Sequence, residues 1–228
     1  MAIIKAIDVH KTYDTGKVQV KALRGVDLEV QKGEMVAVMG PSGCGKTTLL
    51  NCLSGLDDLT SGQVLIEGKD VHAMKDNPRT EYRAEHMGFI FQSFNLLPVL
   101  TAIENVELPL LVSGAKSKVA REKAEKVLQM VALTEWKHHK PSELSGGQQQ
   151  RVTIARSLVN DPAIVWADEP TGNLDSKNSV EIMDLLMKLN KENEQTFVLI
   201  THDPSIGKKC QRQLNMVSGV IDREVNHK

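Results

Sequence analysis

Eight residues, Gly40-Pro41-Ser42-Gly43-Cys44-Gly45-Lys46-Thr47, restrict this chain more than any others. They follow the apolar run Met35 to Met39 and lead into Lys46 to Leu56, whose apolar residues recur at helical spacing. Strand, glycine loop and helix therefore follow in order, and the run fits the pattern G-x-x-x-x-G-K-[ST]. Glycines there let backbone N–H groups turn inward around a phosphate, and the helix N-terminus adds positive potential. Lys46 reaches the terminal phosphates, while the Thr47 hydroxyl can ligate Mg²⁺.

The rest of the chain supports an α/β layout. Leu28-Glu29-Val30 and the turn Gln31-Lys32-Gly33-Glu34 close an N-terminal antiparallel hairpin that leads into the buried strand. Ala163 to Ala167 and Phe197 to Thr201 read as buried strands of a parallel sheet. Ala124, Val127, Leu128 and Val131, like Ile182, Leu185, Leu186 and Leu189, recur at i, i+3, i+4 and i+7, the mark of amphipathic helices. Asp161-Pro162 ends a helix, and Pro98, Pro109 and Pro141 punctuate a middle third that reads as an inserted helical lobe.

Composition narrows the function classes. The chain has 228 residues, 41% hydrophobic and 25% charged, which suits one compact domain with a real core. Its formal net charge of -1 supplies no field to recruit nucleic acid or anionic lipid. Cys44, Cys52 and Cys210 cannot all pair within the chain and show no metal-type spacing, so a reducing compartment is expected. No run approaches the roughly 18 to 20 apolar residues of a membrane-spanning helix, so no direct membrane insertion is expected.

Two more segments carry chemistry. The strand at Ala163 to Ala167 ends in Asp168-Glu169, placing two carboxylates at the strand edge where α/β sheets bind ligands. Asp168 can orient Mg²⁺ and its water, and Glu169 is the candidate to polarise an attacking water. Leu144-Ser145-Gly146-Gly147-Gln148 precedes a helical stretch through Val159, a second helix N-terminus suited to an anion. With one nucleotide per chain, two-fold symmetry would let this second terminus face the nucleotide of another copy.

The glycine-lysine loop at Gly40 to Thr47, LSGGQ at Leu144 to Gln148, and Asp168-Glu169, in this order and spacing, closely resemble the ATP-binding cassette ATPases over essentially the whole chain. The resemblance implies a RecA-like P-loop core with a parallel sheet, an N-terminal antiparallel β subdomain and an inserted α-helical subdomain. It puts the core and β subdomain at residues 1–92 and 161–228 and the helical subdomain at 93–160. It implies that Gly40, Ser42, Gly43, Cys44, Gly45, Lys46, Thr47 and Thr48 cradle ATP. Tyr13 would stack on adenine, Gln92 would contact Mg²⁺ or water, Asp175 would lie in a loop crossing a dimer seam, and His202 would contact the γ-phosphate. Ser145, Gly146, Gly147 and Gln148 would complete the site from a second copy.

The segments Gly88 to Pro98, Thr101 to Pro109 and Asp168 to Asp175 look like the lipoprotein-release and macrolide-export branch, although Val217-Ser218-Gly219 stands where that branch usually has an acidic residue before glycine. That branch implies an ATP-driven homodimer, cytoplasmic and peripheral on the inner face of the cell membrane. Its partner would be a separate permease of the MacB or LolCE kind, with Phe94, Leu96 and Leu97 as the docking groove. A division-type cassette signalling to wall hydrolases would share every motif. Repair and translation cassettes, which bind nucleic acid, carry a long coiled coil or two cassettes per chain, neither of which is present in this sequence.

Overall fold

The computed structural model describes residues 2–227, and the chain divides into two compact units. One runs to Thr80 and resumes at Asn190; the other extends from Glu81 to Leu189.

In the first unit, β1 (Ala2–Asp14) and β2 (Gln19–Gln31) form the expected antiparallel hairpin. β4 (Ser61–Ile66) pairs antiparallel with the other edge of β1, and the short β5 (Lys69–Asp70) pairs with β4. β3 (Met35–Met39) is buried at every residue, as its unbroken apolar sequence requires of a strand covered on both faces. It pairs parallel with β8 (Thr196–Thr201) on one side and β9 (Arg212–Val217) on the other, while β10 (Val220–Asn226) returns antiparallel along β9.

Helix α1 (Lys46–Leu53) stops short of Leu56. Ser54 caps it, and Gly55 takes a left-handed φ of 68°, the usual glycine stop of a helix, which leaves Leu56 exposed. Helix α2 (Asp76–His86) follows β5, and the four-residue α7 (Pro204–Gly207) lies just after β8.

The second unit pairs β6 (Met87–Phe91) parallel with β7 (Ile164–Asp168), one residue later than the apolar run predicts. Around them lie α3 (Ala102–Val112), α4 (Ser117–Met130), α5 (Gly146–Leu158) and most of α6 (Ser176–Asn193). The predicted apolar stripes of α4 and α6 are both buried. Pro109 does not break the chain here but lies inside α3. Its lost N–H removes a single helical bond. The helix start is held firmly by the Thr101/Glu104 capping box and by Asn105 Nδ2, which donates to the carbonyls of Leu97, Leu100 and Thr101 at 3.1, 3.1 and 3.0 Å.

Gly88, inside β6, lets α5 approach the strand closely: a methyl built on it would lie 2.1 Å from the Ser157 carbonyl oxygen. Gly88→Ala forces strand and helix apart and should destabilise the protein by about 1–3 kcal/mol. Chemical denaturation checks this, and an unchanged midpoint would contradict the packing described.

Candidate functional site

The loop after β3 owes its shape to distant backbone. A methyl on Gly40 would meet the Met216 carbonyl oxygen at 2.2 Å, and one on Gly45 would meet the Ala22 carbonyl oxygen at 2.6 Å, while Gly45 itself sits at φ 105°. Between β9 and β10, Ser218 and Gly219 take φ of 48° and 83°, the two-residue turn that suits a tight hairpin. Gly219 N donates to the Cys44 carbonyl and Arg24 N donates to the Gly219 carbonyl, both at 2.9 Å, so this turn clamps the loop against β2. The Val217-Ser218-Gly219 segment, a departure from the branch pattern in sequence, is a buttress in structure.

Lys46 is 8% exposed. Its Nζ donates to the carbonyls of Gly40 at 2.9 Å and Pro41 at 3.0 Å and lies 3.9 Å from Cys44 Sγ, so its partners in the loop are neutral. A buried ammonium among neutral dipoles calls for an anion. Helix α1 begins at the same place with no side-chain cap and no acidic residue in its first turn, so no first-turn carboxylate offsets the positive end of its dipole. Ser42, Gly43 and Thr47 are exposed, and a methyl on Gly43 would meet nothing within 4 Å. The donor set fits a polyphosphate.

Tyr13, 39% exposed, is tethered. Its hydroxyl donates to Asp57 Oδ2 at 2.7 Å. Lys11 Nζ lies 4.8 Å from the ring centre and donates to Asp57 Oδ1 at 2.7 Å. Burial pushes the Asp57 carboxyl up, but hydrogen bonds from Lys11 and Tyr13 outweigh it and hold the group below its ordinary range. His202, exposed, is the first residue past β8, and its neighbour Asp203 caps α7 by accepting from Ser205 N at 2.7 Å. Burial pushes the Cys52 and Cys210 thiols up to about 12, so neither is a thiolate near neutrality.

In the second unit the register Phe91↔Asp168 ends β6 and β7 side by side, so Gln92 and Glu169 leave adjacent strands at one edge. Gln92 Nε2 donates to Asn173 Oδ1 at 3.4 Å, and Asn173 Nδ2 donates to the Gln92 carbonyl at 2.9 Å. Glu169 sits at φ 48°, with its carbonyl accepting from Gly172 N at 3.0 Å, and Gln150 Nε2 of α5 donates to the Pro170 carbonyl at 2.6 Å.

Ser145 is the N-cap of α5: its hydroxyl accepts from Gln148 N at 3.3 Å while Gln148 Oε1 accepts from Ser145 N at 2.8 Å. Gly147 is pressed against the start of α6, where a methyl would meet Asn178 Oδ1 at 2.3 Å, and one on Gly146 would touch Leu174 Cδ2 at 3.4 Å. Asp175 accepts from Asn178 N at 2.9 Å and Asn178 Nδ2 at 2.6 Å, bonds that hold its carboxyl below the ordinary range and make it the cap of α6. After Gln92, Phe94 and Asn95 take left-handed φ of 58° and 52°. Arg156 of α5 donates to their carbonyls at 2.9 and 2.6 Å; of the predicted docking residues, Phe94 and Leu96 are half-buried and Leu97 is exposed.

The structure thus groups Tyr13, residues 40–48 and His202 in the first unit, and Gln92, residues 145–148, Asp168, Glu169 and Asp175 in the second. Sequence reasoning missed Lys11, Asp57, Gln150, Asn173 and Asn178, which brace these groups, all but Asn178 through bonds remote in the chain. Among the described residues no cluster of histidine, cysteine or carboxylate side chains could hold a metal by itself, and no helix is long and apolar enough to cross a membrane.

Comparison with known proteins bears directly on this arrangement. The family model described as ABC transporter matches residues 23–172. An uncharacterized ABC transporter ATP-binding protein of Thermotoga maritima is 52% identical over 201 residues, 88% of this chain and 86% of its own length. The macrolide export ATP-binding/permease protein MacB of Syntrophobacter fumaroxidans is 46% identical over 98% of this chain, which spans only 32% of that protein. A solved dimeric structure of the ATP-binding cassette MJ0796, in a post-hydrolysis state bound to ADP and Pi, superposes with a TM-score of 0.90 at 43% identity over 99% of each chain. MJ0796 is from Methanocaldococcus jannaschii. The chain belongs to the ABC transporter family, as one of its ATP-binding cassette ATPases.

Proposed function

We propose that two copies of this chain close around Mg-ATP and that hydrolysis reopens them, driving a separate permease of the macrolide-export or lipoprotein-release kind from the cytoplasmic face of the membrane. The observation that carries this reading is the buried Lys46 ammonium, whose partners among the described residues are neutral, at the start of an uncapped helix. The likeness to MacB and to a dimeric cassette bound to ADP and Pi supports it.

In this reading Lys46 and the amides of residues 42–48 hold the β- and γ-phosphates, and Tyr13 stacks on the base. Thr47, Asp168 and Gln92 would hold Mg²⁺, which would supply positive charge against the phosphate oxygens. Glu169 orients and polarises the attacking water; His202 donates to the γ-phosphate. Ser145, Gly146 and Gly147 of the second copy reach the same phosphate, with Gln148 capping their helix and Asp175 fixing the loop beside them. Residues 93–160 form the helical subdomain that carries this signature helix, and Phe94, Leu96 and Leu97 meet the permease. A ligand closes a dimer only to the extent that it binds the closed state better, so the γ-phosphate is the switch and ADP supports closure poorly.

Glu169→Gln should reduce turnover by at least about a hundredfold while preserving ATP binding, and ATP should then hold a dimer through size exclusion. Undiminished turnover removes Glu169 from its role. Lys46→Ala acts on ground state and transition state alike, so equilibrium ATP affinity itself should fall, by roughly tenfold or more. Calorimetric titration with wild-type affinity would contradict the cradle.

A further inference from the structure

Lys11, Tyr13 and Asp57 form a closed arrangement of which the proposed function uses only the Tyr13 ring. Both oxygens of the Asp57 carboxylate are engaged, Oδ2 by the Tyr13 hydroxyl and Oδ1 by Lys11 Nζ, each at 2.7 Å. Lys11 Nζ also donates to the Asp58 carbonyl at 2.8 Å, which holds the ammonium over the Tyr13 ring. The Lys11 side chain is only 12% exposed, so this cation is fixed rather than waving in solvent.

Asp57 is itself anchored to α1. Its N–H donates to the Asn51 carbonyl at 3.1 Å and Leu56 N donates to the same carbonyl at 2.8 Å. Arg79 then ties the next residue, donating to Asp58 Oδ1 at 2.6 Å. Asp57 lies just beyond the last turn of α1, so the Tyr13 hydroxyl is tied to the helix that starts at the phosphate loop. An exposed tyrosine without such a grip would lose side-chain freedom on stacking; here that entropy is already spent.

We propose that Asp57 is a positioning residue for nucleotide binding: with Lys11 over one face of the Tyr13 ring, it fixes the ring as a one-sided platform that receives the base on the other face, at a spacing from the phosphate loop set by α1. The inference rests on the reading of Tyr13 as the base-stacking residue and deepens it. An ammonium on one face draws π density from the ring, which favours an electron-rich purine on the opposite face.

The test compares ATP with inorganic tripolyphosphate, which has no base, by calorimetric titration, together with steady-state hydrolysis. Asp57→Asn, Tyr13→Phe and Lys11→Met should each weaken ATP binding by roughly three- to tenfold and raise KM with kcat retained, as expected for loss of one charge-assisted contact outside the chemical step. Tripolyphosphate affinity should be unchanged in all three, and the Asp57→Asn/Tyr13→Phe pair should be no worse than either alone, because both remove the same brace. Equal losses for ATP and tripolyphosphate would mean that Asp57 only supports the fold of the loop, and the proposal would be wrong. Tyr13→Ala separates the two levels: if it costs ATP affinity while Asp57→Asn and Tyr13→Phe do not, the brace is refuted and stacking stands. If Tyr13→Ala leaves ATP affinity unchanged, stacking itself is refuted and the brace with it.

Discussion

The Lys46 ammonium, folded back onto the carbonyls of its own loop, is the interaction around which the first unit is organised. Two neutral carbonyls at 2.9 and 3.0 Å solvate the charge incompletely, so the loop holds a positive centre short of counter-charge. That shortage would be intolerable in a flexible loop, which would open and hydrate the amine. It persists because the loop has nowhere to go: Met216 and Ala22 backbone oxygens lie where side chains on Gly40 and Gly45 would be, and the Gly219 amide holds the Cys44 carbonyl. Rigidity of the surroundings is thus what stores affinity for an anion, and a ligand that supplies the missing charge also stabilises the fold by mass action.

The same logic governs the braces in both units. Asp57, Asn178 and Gln150 bind no nucleotide in the proposed mechanism, yet each braces a proposed site residue or its immediate neighbour. Asn178 satisfies Asp175 and packs on Gly147, while Gln150 takes the carbonyl next to Glu169. Side chains held in this way need no reordering when the ligand arrives, which is where preorganised sites gain over loosely built ones.

What the sequence makes legible follows the range of the contacts. The strand, loop and first helix could be read directly, because hydrophobic run, glycine pattern and helical spacing are all local. Ser145 as a helix cap was equally plain from its neighbours. The end of α1 at Leu53 and the passage of α3 through Pro109 are not legible in the same way, since spacing alone does not report where Gly55 adopts a left-handed turn or how strongly Asn105 fixes a helix start. Longer-range partners left no readable signal. Tyr13 finds Asp57 across 44 residues, and the turn at Ser218-Gly219 clamps a loop from the far end of the chain. A strand glycine at Gly88 and the Ser218-Gly219 pair are the clues in the sequence to the close packing and to the β9–β10 hairpin.

The Ser145 helix tip shows how one arrangement serves both fold and ligand. A capping hydroxyl accepts a bond from Gln148 N, which leaves its own proton free to be donated outward. The capping box occupies the amides of Ser145 and Gln148, whereas those of Gly146 and Gly147 belong to the first turn, whose donors have no partner within the helix. Glutamate would close the same box as well as glutamine does, and its charge would even suit the helix dipole. It would also set a carboxylate beside the place proposed for a triphosphate, where like charge costs more than the dipole returns. Glutamine at 148 therefore reads as the residue that caps the helix without spoiling its anion site, so local stability alone does not explain the choice.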